Sequence, residues 1–133
     1  MIRNRSMPPG VIIPELPYDD VNVAAAWLCQ AFGFKERLRT GNHRYQLTFG
    51  NASVVVIERK EPGIGSILVH VEAVDDHCER AKQIGARILH PPTDHPFGER
   101  QYTVADLGGH RWTFSQTIGD VDPQTWGGIL FQD

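Results

Sequence analysis

Residues 19–34, DDVNVAAAWLCQAFGF, predict a helix with one apolar face and a defined start and end. Asp19 or Asp20 can cap the first turn, because its side-chain oxygen can accept a hydrogen bond from a free backbone N–H group. Gly33 suits the end of the helix, since glycine adopts the left-handed conformation without a Cβ clash. Apolar residues recur at helical spacing, which predicts a helix that packs on one side. They are Val21, Ala24, Ala25, Leu28, Cys29 and Phe32.

Short strands are predicted on both sides of this helix. The apolar run 11–16 precedes it, and Pro14 places that strand at a sheet edge or at a strand start. Three strands follow the helix, and the turns between them contain glycine and asparagine, which is typical of hairpins. These strands are 34–39, 43–49 and 52–58, and the first, being charged, is expected at an edge. Residues 61–65 contain a proline and two glycines and interrupt the pattern.

The same order of elements recurs in the second half of the chain. A strand at 66–72 leads into a helix that begins at Val74 and ends at Gly85, and the two helices start about 55 residues apart. The further strands are 87–90, 100–105 and 111–116, with an irregular loop predicted at the proline-rich stretch 91–96. We therefore predict an α+β fold of two βαβββ modules that form a curved mixed sheet around a cavity.

The length of 133 residues fits a single domain, 1–133. Within it we place module one at about 11–60, module two at about 66–117 and a C-terminal tail at 118–133. Asp122 and Pro123 in the tail are a helix-start signal. The apolar residues that follow them could pack back on the domain or form a dimer contact.

Charge and composition exclude several classes of partner. The net charge of −3 comes without a basic stripe, so we expect neither nucleic acid nor an anionic membrane as a partner. No segment approaches the ~20 apolar residues of a membrane span, and the N-terminus lacks the apolar core of a signal peptide. We therefore expect a cytoplasmic protein, with Cys29 and Cys78 as reduced core thiols.

The motifs resemble the vicinal-oxygen-chelate superfamily, which includes glyoxalases, bleomycin-resistance proteins and extradiol dioxygenases. The helix that ends in Ala31-Phe-Gly-Phe34 is similar to the superfamily's first helix. Phe97-Gly-Glu-Arg100 and the stretch 106–114, DLGGHRWTF, resemble the closing hairpin of its PhnB-like and bleomycin-resistance branches, with Leu107 in place of the usual proline. The resemblance covers about residues 11–117. It implies a small-molecule ligand and a homodimer.

The resemblance also implies where a metal would be held, with one ligand on each of four cavity-lining strands. These positions fall at Ile13, Glu58, Ser66 and Thr113. A catalytic divalent metal needs about three ligands of nitrogen, sulfur or charged-oxygen type. Only Glu58 meets that need, so we expect no bound metal and no other cofactor.

Strand alternation predicts which side chains face the cavity. His70 lies between apolar neighbours and could act as a general base or a ligand anchor, or be a core histidine satisfied by backbone or water. Arg100 could hold a carboxylate or phosphate, or could instead pair with a nearby acid. Ser115 shares the cavity face of the last strand with Arg111 and Thr113. The remaining candidates for substrate contact are Glu15, Glu58, Glu99, Tyr102, Arg111 and Thr113.

Three functions are compatible with these residues. We predict a glyoxalase- or bleomycin-resistance-like protein that binds a small organic ligand in the cavity without a metal. The first alternative is a metal-dependent lyase or dioxygenase of the same superfamily. The second is a metal-free isomerase or hydrolase that uses His70 or a glutamate.

Overall fold

The computed structural model describes residues 4–60 and 63–130 of the chain. The order of elements is βαβββ, repeated once and followed by a short 3-10 helix. The first module contains β1 (Glu15–Tyr18), α1 (Val21–Phe32), β2 (Lys35–Thr40), β3 (Arg44–Phe49) and β4 (Ala52–Glu58). The second contains β5 (Ser66–His70), α2 (Val74–Gln83), β6 (Arg87–His95), β7 (Glu99–Ala105) and β8 (Arg111–Thr117). The predicted α+β class and the two βαβββ modules are confirmed.

The chain divides into two compact units. One unit contains the described residues up to Gly65 together with Asp106–His110, and the other contains Ser66–Ala105 and the described residues from Arg111 onward. The turn between β7 and β8 therefore belongs to the first unit, although its two strands belong to the second.

The first unit holds the sheet β1-β4-β3-β2, in which β1 runs parallel to β4 and the other pairs are antiparallel. Helix α1 begins and ends as the sequence predicts. The Asp20 side chain accepts the Val23 N–H at 3.1 Å, and Gly33 ends the helix at a φ of 85°. The charged strand β2 lies at the sheet edge, as predicted. Leu28 and Phe32 of the helix are buried with Leu47 and Val56 of the sheet.

The second unit repeats this topology with the sheet β5-β8-β7-β6. Helix α2 packs against β6, β7 and β8. The side chains that the sheet turns toward this helix are large and fully buried, which gives the unit its core. They are Tyr102, Val104, Trp112 and Phe114.

Several predicted strands differ from the structure by one or two residues at an end, among them β5, which ends at His70 and not at Glu72. The two largest differences, in β1 and β6, occur at prolines. β1 begins at Glu15 and not at Val11, which is fully exposed. Pro14 accepts the Val55 N–H through its carbonyl oxygen at 2.9 Å, but it has no N–H of its own to donate. Regular pairing of β1 with β4 therefore begins at Glu15.

β6 continues through Pro91 and Pro92 to His95, so the loop predicted for this stretch is wrong. The strand pairs with β7 alone and its register shifts twice, between Ile88 and His90 and between His90 and Thr93. An edge strand with bulges tolerates proline, since the residues of a bulge are left out of the regular pairing. Pro91 and Pro92 lie within the second register shift.

The remaining elements agree with their sequence signals. Both cysteines are free thiols; Cys78 is buried and Cys29 is partly buried, and burial raises the pKa of each. In the tail, Asp122 accepts the Gln124 N–H and caps a 3-10 helix over Pro123–Trp126. Neither helix of the described residues combines the length and the apolar character needed to cross a bilayer.

Candidate functional site

The sheet of the second unit has one face that helix α2 leaves uncovered, and we call it the open face. Trp112 and Phe114 of β8 are buried on the helix side, so Thr113 and Ser115 between them point to the opposite side. Thr103 pairs directly with Thr113 and Gln101 with Ser115, which places both β7 residues on the same face.

Hydrogen bonds join these side chains across the two strands. The hydroxyl oxygens of Thr103 and Thr113 lie 2.9 Å apart. Gln101 donates from Nε2 to Ser115 Oγ at 3.0 Å, and Ser115 in turn donates to Oε1 of Glu99 at 2.6 Å. We call these five residues the polar ladder. All of them are partly or fully buried, which holds their polar atoms in defined positions.

The only acid of the polar ladder is held in its ionised form. The hydrogen bond from Ser115 lowers the pKa of the Glu99 carboxyl, and a second bond from Thr117 and the nearby His70 act in the same direction. Burial acts against them but is a smaller effect than the hydrogen bond from Ser115, and the pKa is lowered on balance. The open face therefore carries a fixed negative charge beside neutral hydroxyl and amide groups.

His70 ends β5, and its backbone pairs with that of Ser115. Its side chain is exposed, so the reading of His70 as a core histidine is wrong. It lies close enough to the polar ladder to favour ionisation of Glu99. Arg111 lies on the same face at the other end of β8, opposite Ala105, and is also exposed.

Two further candidates from the sequence, Arg100 and Tyr102, lie on the helix side of β7. Arg100 contacts Asp75 through Nε at 2.9 Å and Asp94 through Nη1 at 3.0 Å, and both carboxylates raise its pKa. Tyr102 is buried, with its hydroxyl 2.5 Å from Nδ1 of His77, and burial raises the pKa of its phenol. Of the two readings of Arg100, the structure therefore has the ion pair.

Two histidines that are not among the predicted site residues have structural contacts. His77 packs on the ring of Phe114, with centroids 3.9 Å apart. His110 is fully buried; its Nδ1 accepts the Gly65 N–H and its Nε2 lies 2.6 Å from the carbonyl oxygen of Pro17. Because Nδ1 accepts the Gly65 N–H, Nε2 is the ring nitrogen that donates to the Pro17 carbonyl oxygen. The partners of both histidines are distant in sequence, so no local sequence pattern predicts these contacts.

Glu15 and Glu58 lie in the first unit, where they line a groove of about 800 Å³. Glu15 pairs with Arg44 at 3.0 Å, so its charge is already compensated. Glu58 is exposed at the end of β4. The other lining residues are Leu16, Pro17, His43, Arg44, Ile57, Lys60, Gly63, Ile64 and Gly65.

The N-terminal segment lies against the same sheet. Gln46 donates to the carbonyl oxygen of Ser6 at 2.8 Å, and Arg37 donates to that of Arg5 at 3.0 Å. Pro8 is buried. The sequence gives no sign of this contact, because backbone carbonyls serve as the acceptors.

The residues at the implied metal positions do not fit a divalent metal. Ile13 has no donor atom, and Thr113 offers only a neutral hydroxyl oxygen. Ser66 offers only a neutral oxygen, which is a poor ligand for such an ion. In residues 4–60 and 63–130, no three histidine, cysteine or acidic side chains are grouped so that they could hold a metal.

Comparison with known proteins gives one family and many structures of similar fold. The model of the Glyoxalase/Bleomycin resistance protein/Dioxygenase superfamily matches residues 11–114. The crystal structure of TioX from Micromonospora sp. ML1 is 34% identical, with 82% of this chain and 99% of that chain covered and a TM-score of 0.76. No curated protein matches the chain.

Two other solved structures show the fold alone. Lactoylglutathione lyase from Agrobacterium tumefaciens is 16% identical, with 91% of this chain and 98% of that chain covered and a TM-score of 0.69. The fosfomycin resistance protein FosX from Listeria monocytogenes, in complex with Mn(II) and sulfate, is 20% identical, with 84% and 92% covered and a TM-score of 0.67.

Proposed function

We propose that this chain, which belongs to the Glyoxalase/Bleomycin resistance protein/Dioxygenase superfamily, binds a small organic ligand on the open face of its second sheet without a metal. The observation that carries the proposal is the polar ladder, in which Glu99, Gln101, Thr103, Thr113 and Ser115 are held by hydrogen bonds on the face opposite helix α2. Ligand sites commonly consist of a few fixed polar groups on an otherwise apolar surface.

The ladder keeps capacity for further hydrogen bonds. Thr103 and Thr113 share one hydrogen bond, yet two hydroxyls carry two donors and four lone pairs. One hydroxyl proton and several lone pairs therefore remain for a ligand. Because the strands fix the positions of these groups, a ligand would lose little free energy in ordering them.

Two observations favour binding over catalysis. A general base works best when its pKa lies near the operating pH, whereas hydrogen bonds lower the pKa of Glu99. Only one of the four implied metal positions, Glu58, carries a strong ligand, which is too few for a metal-dependent lyase or dioxygenase. A metal-free isomerase or hydrolase would use His70, which is exposed next to the ladder, or a glutamate.

The proposal is tested by removing the two threonine hydroxyls together. Small organic compounds would be screened by thermal shift, since a ligand that binds only the folded chain raises its Tm. We expect the Thr103→Val, Thr113→Val double variant to bind the compounds found about tenfold more weakly, because a hydrogen bond contributes about 0.5–1.5 kcal/mol and two groups are lost. Replacing both partners by apolar groups of similar shape is nearly neutral for stability. A loss of affinity in the double variant would therefore come from lost ligand contacts and not from unfolding.

The matched control is Thr40→Val, an exposed threonine at the end of the edge strand β2, which should leave affinity unchanged. EDTA should leave binding by the wild type unchanged as well. Equal affinity of the double variant and the wild type would contradict the proposal, as would a screen without any binder.

A further inference from the structure

Three aromatic rings form a continuous row at one end of the second sheet. The rings of His95 and Phe97 stack, with centroids 5.1 Å apart and planes 11° apart. The ring of Trp126 meets Phe97 edge to face, with centroids 5.7 Å apart. We call these three residues the aromatic row.

The aromatic row begins beside the acid of the polar ladder. His95 pairs directly with Glu99 across β6 and β7, so both side chains leave the sheet on its open face. Gly98, at a φ of 81°, makes the turn between the two strands. Its carbonyl oxygen accepts the Ile118 N–H at 2.9 Å, and this bond ties the start of the C-terminal tail to the same turn.

The row exposes much of its aromatic surface. Phe97 is 37% exposed and Trp126 is 46% exposed, whereas Trp112 of the same unit is fully buried. Trp126 lies on the short 3-10 helix that Asp122 caps, beyond the residues 11–114 that match the family. The tryptophan is therefore held in place by the tail without taking part in the core.

Acidic side chains lie at both ends of the row. Glu99 is ionised next to His95, and Asp120 and Asp122 are exposed on the tail that carries Trp126. Arg100, the nearest cation in sequence, is paired with Asp75 and Asp94 on the helix side of β7. The faces of aromatic rings also carry partial negative charge, so both kinds of group favour a cation.

We infer that the aromatic row and Glu99 form a subsite for a planar aromatic ring that carries a positive charge or N–H donors. The ring would lie against Phe97 and Trp126, and its charged group would face the Glu99 carboxylate. This inference rests on the proposed function, because the subsite continues the polar ladder along the open face.

The test uses the full chain and two acridine probes of opposite charge. Proflavine is planar and cationic, and acridine-9-carboxylate has the same ring system with a negative charge. We expect proflavine to bind at one equivalent, and the anionic probe to bind at least about tenfold more weakly, in a fluorescence titration. Trp126→Ala should weaken proflavine binding by about 3- to 10-fold and Trp126→Phe should preserve it, because stacking needs a ring.

Glu99→Gln should weaken proflavine binding by about tenfold and narrow the difference between the two probes, since it removes only the charge. Ile129→Ala is the matched control, because Ile129 is an exposed apolar residue of the same tail and belongs to neither group. It should leave the affinity for both probes unchanged.

The outcomes separate this inference from the proposed function. If proflavine does not bind, or if Trp126→Ala and Glu99→Gln bind it as the wild type does, the subsite is overturned. The proposed function would still stand in that case, provided that the threonine double variant loses affinity for the compounds of the thermal-shift screen. If the threonine double variant also keeps full affinity for those compounds, both are overturned.

Discussion

Asp106→Ala is expected to lower the free energy of unfolding by about 3–4 kcal/mol, because each buried donor left without a partner costs about 1–3 kcal/mol. The Asp106 carboxylate accepts the hydroxyl of Tyr18 and the backbone N–H groups of Gly108 and His110, the latter two at 2.9 and 3.0 Å. Tyr18 is almost fully buried and lies edge to face with His110, so water cannot replace the lost acceptor there.

Urea denaturation monitored by circular dichroism would measure the change. Leu107→Ala is the matched control, since Leu107 is the next residue in the same turn and is 43% exposed. Its effect should stay within about 0.5 kcal/mol, as is usual for surface substitutions. If the Asp106→Ala variant were as stable as the Leu107→Ala variant, the hydrogen bonds of the Asp106 carboxylate would not stabilise the turn as proposed.

Trp112→Ala is expected to destabilise the chain by about 3–5 kcal/mol, the usual range when a large buried aromatic side chain is truncated in a core. Trp112 is fully buried on the helix side of β8, next to the ring of Phe114. Its removal would leave a cavity that the rigid sheet cannot close.

Trp126→Ala provides the comparison in the same assay. Trp126 is 46% exposed and contacts Phe97 at its edge, so we expect a loss of about 1 kcal/mol or less. Equal losses of stability in the two variants would contradict the assignment of Trp112 to the core and of Trp126 to the surface. The expected small effect at Trp126 is also what makes its variant a usable probe of ligand binding.

Local signals in the sequence predict most of the fold. Asp20 and Gly33 bound α1 as predicted, and the valine-rich strand β4 has the predicted limits, because capping and short turns depend on neighbouring residues. The two strands whose bounds differ most from the prediction, β1 and β6, both contain proline. Whether a proline ends a strand depends on its place in the sheet, and the sequence does not contain that information directly.

The candidate site is predicted only in part, and the reason is strand pairing. Alternation along single strands places Thr113, Ser115 and His70 on one face. It does not reveal that Glu99, Gln101 and Thr103 come opposite them, because that depends on the register of β7 against β8. Arg100 and Tyr102 alternate with these β7 residues and so face the helix.

Other expectations from the sequence stay predictions. These are the homodimer, the cytoplasmic location and the roles of the individual site residues. The ligand and the absence of a metal belong with them, and the binding experiments above address both.

Mapping the bound ligand on the folded chain would show directly whether it binds on the open face. The full chain, labelled with nitrogen-15, would be titrated with the strongest binder from the thermal-shift screen and followed through its backbone amide resonances. The amide resonances of Gln101, Thr103, Thr113 and Ser115 are expected to shift in proportion to the fraction of protein with ligand bound. The amide resonances of the first-unit groove are expected not to shift. Shifts confined to groove residues such as Glu15 and Glu58, with none along the polar ladder, would contradict binding on the open face.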